Sequence, residues 1–121
     1  MTMKVKLNYF KMKLKYFYLL LAILGVIYTW YFNIQYFQSV ENATFTSFMN
    51  DAQINFAGKS FGADLTVVVF TFFVFLVTES LRLKIKFWWV FIPFTFLVAV
   101  AFTFPLFLYF RQLKLEELKE I

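Results

Sequence analysis

The 121-residue sequence contains no cysteine and no histidine. The first absence removes disulfides, thiolate nucleophiles and thiolate ligation of zinc or haem. The second removes imidazole, both as a ligand and as an acid–base group. Any proton chemistry near neutral pH falls to a carboxyl, a lysine or a tyrosine in a perturbed environment. Charge is scarce as well: 16% of residues are charged against 62% hydrophobic, and mean hydropathy is +0.70. A soluble domain averages about a quarter charged and about half apolar. A chain this short has too little interior to hide such a surface, so lipid is expected to cover much of it. There is no glycine-rich phosphate loop, no metal-ligand spacing and no nucleophile elbow. No catalytic residue, cofactor or metal is therefore expected.

What the chain has instead is aromatic bulk, with 20 Phe, 7 Tyr and 3 Trp, and a net charge of +5. The positive charge is not arranged as a nucleic-acid patch, and no nucleic-acid partner is expected. Lys4, Lys6, Lys11, Lys13 and Lys15 precede the first apolar run, and Arg82, Lys84 and Lys86 separate the second from the third. Basic residues beside hydrophobic runs mark the cytoplasmic side and anionic headgroups.

Three apolar runs organise the sequence. Tyr16 to Val40 carries no charge and exceeds the roughly 20 helical residues that cross a bilayer core. It is too long for a secretory signal and lacks a small-residue cleavage site, so it reads as a signal anchor. Phe87 to Phe110 is also uncharged, with Trp88 and Trp89 at one end and Tyr109 at the other, as in interfacial aromatic belts. The middle run is tight: 14 uncharged residues separate Asp64 from Glu79. Their helical rise of about 21 Å is short of a core roughly 30 Å thick. Both acids are thus drawn toward lipid depth.

The sequence therefore predicts an all-α integral membrane protein with three transmembrane helices, at about 16–37, 61–81 and 87–110 within a membrane domain spanning 16–110. A basic segment, 1–15, precedes it and an amphipathic tail, 111–121, follows. In the first, outer loop, Phe45, Phe48, Met49, Ala52 and Phe56 recur at near-helical spacing and predict a short interfacial helix. With the N-terminus in the cytoplasm, three spans place eight basic residues inside and four outside. That bias gives a multi-pass protein of the inner (cytoplasmic) membrane with its C-terminus outside.

This topology brings Asn33, Asp64, Tyr109 and Arg111 to one depth as an outer polar cluster and candidate ligand site. Asp64 has two other readings, as N-cap of the second helix or as partner of Arg111. Arg111 has the alternative of snorkelling to headgroups. Glu79, near a helix C-terminus where the dipole disfavours its charge, needs a cation from Arg82 at i+3 or from Lys15 across the bundle. Glu79 and Arg82 form the candidate inner ion pair. The two acids, about 22 Å apart by helical rise, cannot act as a carboxylate pair. Ala22, Gly25, Thr29 and Asn33 make a stripe suited to close helix packing.

The residues "FGADL", "TESLRL", a tryptophan after a short basic linker and "PLFLYFR" followed by "LEE" resemble a family of bacterial membrane proteins, domain of unknown function 2834. The resemblance covers residues 60–117 well and 16–117 loosely. It implies a small helical membrane protein and lends no activity. Its pattern falls on Asp64, Leu65, Glu79, Arg82, Trp88 or Trp89, and Pro105 to Tyr109 with Arg111. The leading expectation is a non-enzymatic accessory or structural subunit whose partners are the bilayer and a homo-oligomer or larger membrane complex. The alternative is a membrane enzyme or carrier holding a lipid or isoprenoid-like molecule in the outer pocket. A dimeric proton-coupled exporter ranks third, because the middle of the second span carries no acid.

Overall fold

The computed structural model describes residues 2–118, with side chains throughout except at positions 4, 5 and 7–12. Every regular element described is helical: α1 (Met3–Ser39), α2 (Phe45–Ala52), α3 (Phe56–Leu83), a 3-10 turn (Trp88–Val90), α4 (Phe91–Leu97) and α5 (Val100–Glu117). α1 runs unbroken for 37 residues, about 55 Å of rise, and absorbs the basic segment into the same helix. The expected loop helix forms as α2. Its N-cap Thr44 and Ser47 satisfy each other's backbone N–H groups in a capping box. Phe56 belongs instead to α3, whose N-cap is Asn55, its side chain accepting from the Gly58 N–H at 2.8 Å. Asp64 therefore caps nothing: it lies in the third turn of α3, exposed.

Two stretches are long and apolar enough to cross a membrane, Lys13–Ser39 and Phe56–Leu83. The third run is not one helix, and this corrects the three-span expectation. The chain breaks at Val98–Ala99, where Ala99 is extended, and α4 and α5 fold back as a helical hairpin. Ring pairs set its register: Phe87 meets Phe110, Phe91 meets Phe107, and the Thr95 and Thr103 hydroxyls are 2.8 Å apart. A single helix over 87–110 would carry two prolines in its interior, each costing about 3 kcal/mol. Pro93 is spared that cost because α4 begins only at Phe91, so it lies in the first turn, where its missing N–H has no helical acceptor. The hairpin also pairs the phenylalanines of the two halves, each ring pair contributing about 0.5–1.5 kcal/mol. The Trp30 Nε1–H donates to the Val98 carbonyl at 2.9 Å, satisfying a group that the break exposes.

α5 is the hub of the bundle, burying Thr103, Phe107, Gln112 and Leu115. Along α1 it runs antiparallel: Lys15 meets Glu116, Gly25 lies on Ala101, and Trp30 reaches Val98. Along α3 it runs parallel: Phe72 stacks on Phe104 at 4.7 Å, Phe75 meets Phe107, and Glu79 meets Arg111. α5 thus ends beside the start of α1, whereas three full spans would put those two ends apart. Phe72, Leu76 and Leu83 of α3, Ile85, Phe91 of α4, and Phe107 and Leu115 of α5 form the core. The expected tail helix exists as the last turns of α5 and buries Leu115; residues 119–121 lie outside the described residues.

Two backbone details matter later. Pro105, inside α5, has no N–H for the Ala101 carbonyl, and Gly25 of α1 packs on that same oxygen. A Cβ on Gly25 would lie 2.0 Å from it, so the α-hydrogen in its place makes a Cα–H···O contact. Lys84 closes α3 at φ 59°, in the left-handed region, with its own N–H and that of Ile85 both donating to the Ser80 carbonyl. A non-glycine residue there costs about 1–2 kcal/mol.

Candidate functional site

The fold sorts the polar groups into two ends. One end, which we call the basic end, is defined by the Lys15–Glu116 pair at 2.7 Å. Here Glu79 of α3 is held from two sides. Arg82, one turn on, forms a two-pronged contact through Nε at 2.8 Å and Nη2 at 3.1 Å. Arg111 of α5 donates through Nε to the Glu79 Oε2 and lays its guanidinium over the Phe75 ring. Glu79 is mostly covered, Arg111 a quarter exposed and Arg82 half exposed. The inter-helix contact with Arg111 is therefore the less screened of the two.

The sequence-derived residues do not all meet. The Glu79–Arg82 pair forms, but the second cation is Arg111, while Lys15 goes to Glu116. The outer cluster separates. Arg111 and Tyr109 lie at the basic end, where Tyr109 meets Phe110 edge-on, ring centroids 5.4 Å apart. Asn33 and Asp64 lie toward the far end of α1 and α3, and among the described residues no ion pair joins Asp64 to Arg111. The separation follows from the hairpin, which reverses the direction of α5. A network at the far end escaped the sequence reading: the Tyr36 hydroxyl contacts Asp51 at 2.6 Å and Ser47 at 2.9 Å, tying α1 to α2. Its only signal was a tyrosine near the end of an apolar run, too common a feature to single out.

Most of the described inter-helix polar groups are paired with one another. Both oxygens of Glu79 are occupied by guanidinium groups, and Thr95 also donates to the Phe91 carbonyl at 2.7 Å. The Ser80 hydroxyl and the Oε1 of Glu116 are buried without a hydrogen-bond partner among the described residues. No group of three metal-ligating side chains occurs among them. A shallow concavity of about 350 Å³ lies between α1, α3 and α5, with walls that include Tyr18, Leu21, Val68, Phe104, Pro105 and Leu108 and no polar lining.

These features define a small helical bundle with lipid-compatible surfaces, charged at one end and cross-linked by ion pairs. Residues 17–113 match the family described as protein of unknown function DUF2834, and the chain belongs to that family. No curated protein and no solved structure matches it.

Proposed function

We propose that this chain is a non-enzymatic, bilayer-embedded structural or accessory subunit, built from two membrane-crossing helices and a re-entrant hairpin. The observation that carries this reading is that its inter-helix polar groups are spent on one another. Glu79 joins α3 to α5, Glu116 joins α5 to α1, and Trp30 joins α1 to the hairpin tip. The distribution of charge supports the insertion. Among the described residues, ten basic ones lie on segments at the basic end, against Lys59 alone toward the other. Such a bias places the basic end in the cytoplasm. The extended backbone at Ala99 is half-buried, and Trp30 of α1 satisfies the Val98 carbonyl beside it, as irregular backbone at membrane depth requires. The C-terminus then lies on the same side as the N-terminus. The bilayer is the first partner of this body, and a homo-oligomer or larger membrane complex is the second.

The cysteine-free sequence makes the topology directly testable. Single cysteines at Thr2, Asn42, Lys84 and Leu118 are labelled with a membrane-impermeant maleimide in sealed vesicles of each orientation. Positions 2, 84 and 118 label from one side and 42 from the other; a label at 118 on the side of 42 restores a full third span and defeats the hairpin. The carrier reading is favoured by one observation, the apolar concavity between α1, α3 and α5, which suits an acyl or prenyl chain. Native mass spectrometry separates the two. A stoichiometric ligand other than bulk phospholipid, lost in Phe104→Ala with the bundle intact, supports the carrier, and its absence supports the structural subunit.

A further inference from the structure

At the basic end the acids are already taken: Glu79 by Arg82 and Arg111, Glu116 by Lys15, and Glu117 by Lys114 at 3.5 Å. Lys84 and Lys86, on the turn between α3 and the 3-10 helix, are exposed and have no ion-pair partner among the described residues. Both are open to an anionic group from outside the described residues. The turn is amphipathic at single-residue resolution: Ile85 between the lysines is 5% exposed and anchors the turn in the core. Leu81, Phe87 and Trp89 around it are exposed at 67%, 46% and 61%. Lysines beside outward-facing Trp and Phe match the boundary between headgroups and acyl chains. The Lys84 backbone is left-handed, a conformation that glycine adopts freely.

We propose that the turn from Leu81 to Trp89 is a docking surface for an anionic phospholipid. Lys84 and Lys86 face its phosphodiester, and Phe87 and Trp89 sit along its upper acyl chains. The site rests on the membrane reading above and adds to it a preference for one class of lipid. Anionic headgroups attract each nearby lysine by an amount equivalent to about fivefold in binding, near thirtyfold for two.

The test uses the full chain in mixed micelles holding equal phosphatidylglycerol and phosphatidylcholine, with the ratio of bound lipids read by native mass spectrometry. Wild type retains phosphatidylglycerol preferentially, Lys86→Gln loses about fivefold of that preference, and Lys84→Gly with Lys86→Gln loses most of it. Lys84→Gly relieves the left-handed strain, so this variant unfolds no more readily than wild type and its loss of lipid is not a folding defect. Lys59→Gln, at the other end, leaves the ratio unchanged. The proposal is overturned if the double variant keeps the wild-type ratio, if Lys59→Gln lowers it equally, or if saturating inorganic phosphate displaces the lipid, which would make the site one for a soluble anion. Carbonate extraction of the wild type separates the two layers of inference. A chain that stays with the bilayer while the lipid ratio is insensitive to Lys84 and Lys86 refutes this site alone, and a chain that is extracted refutes the membrane reading with it.

Discussion

Gly25 offers the sharpest test of how α1 and α5 are joined. An added Cβ would stand 2.0 Å from the Ala101 carbonyl oxygen and 2.6 Å from its carbon, both backbone atoms. Real Cβ contacts essentially never fall below 3.0 Å, so one helix must move by about 1 Å. Movement is resisted on both sides, by Ala22 one turn before, fully buried, and by Trp30 on Val98. Overpacking of this kind costs about 1–3 kcal/mol. Loss of the Cα–H···O contact to the carbonyl freed by Pro105 adds about 0.5–1 kcal/mol. Against this, alanine gains up to about 1 kcal/mol over glycine in a helix. The net for Gly25→Ala is a destabilisation of about 0.5–3 kcal/mol, measured by equilibrium unfolding in mixed micelles with Trp fluorescence as the signal. Gly62→Ala is the internal control. Its Cβ would meet nothing nearer than the Gln53 Cγ at 3.9 Å, so propensity alone acts and the variant is neutral or more stable. If Gly25→Ala unfolds at or above the wild-type midpoint, α1 and α5 do not meet backbone to backbone, and the hairpin packing fails with it.

Other perturbations test the remaining joints. Glu79→Gln leaves the guanidiniums of Arg82 and Arg111 without their carboxylate and costs about 1–3 kcal/mol, below the value for a fully buried pair because Arg111 is a quarter exposed. A double-mutant cycle with Arg111→Gln recovers a coupling of at least about 0.5 kcal/mol, whereas Arg82→Gln, half exposed, costs under about 1 kcal/mol; equal effects at the two arginines would contradict the geometry. Trp30→Phe deprives the Val98 carbonyl of its donor, costing about 1–3 kcal/mol, and hydrogen exchange at the amides of residues 99–102 accelerates; unchanged exchange would falsify the contact. Thr103→Val removes the contacts of this hydroxyl with Thr95 and with the Ala99 carbonyl while Thr95 keeps the Phe91 carbonyl, so the loss stays at about 1–2 kcal/mol, and a larger drop means the hydroxyl pair carries more of the hairpin than its bonding suggests.

Local signals survived the passage from sequence to structure. The stripe of small residues on α1 predicted close packing, and Ala22 and Gly25 deliver it. Thr44 and Asn55 act as caps because a short polar side chain can reach the next turn's N–H groups wherever the helix sits. The Glu79–Arg82 pair follows from i, i+3 spacing alone. Pairings that depend on helix direction were not legible. Arg111 on Glu79 and Lys15 on Glu116 require α5 to run antiparallel to α1, and direction is a property of the hairpin, not of any residue in it.

The hairpin itself escapes hydropathy for a physical reason. A run of 24 apolar residues has the same summed transfer energy whether it crosses once or goes in and returns. Two features of residues 87–110 break the tie. Pro93 and Pro105 are 12 residues apart, so one straight helix would hold both in its interior, whereas the start of α4 at Phe91 relieves the penalty at Pro93 and leaves Pro105 inside α5. Phe87, Phe91 and Thr95 recur every four residues and find Phe110, Phe107 and Thr103 in reverse order, a pattern that specifies a partner strip within the run itself. Charge then argues in the same direction. Three spans divide the bases eight to four, while the hairpin returns Arg111 and Lys114 to the end that already holds Lys15 and Arg82. The arrangement that pairs the rings also removes all but one described base from the far end, and that agreement of independent terms is what a single folded solution requires.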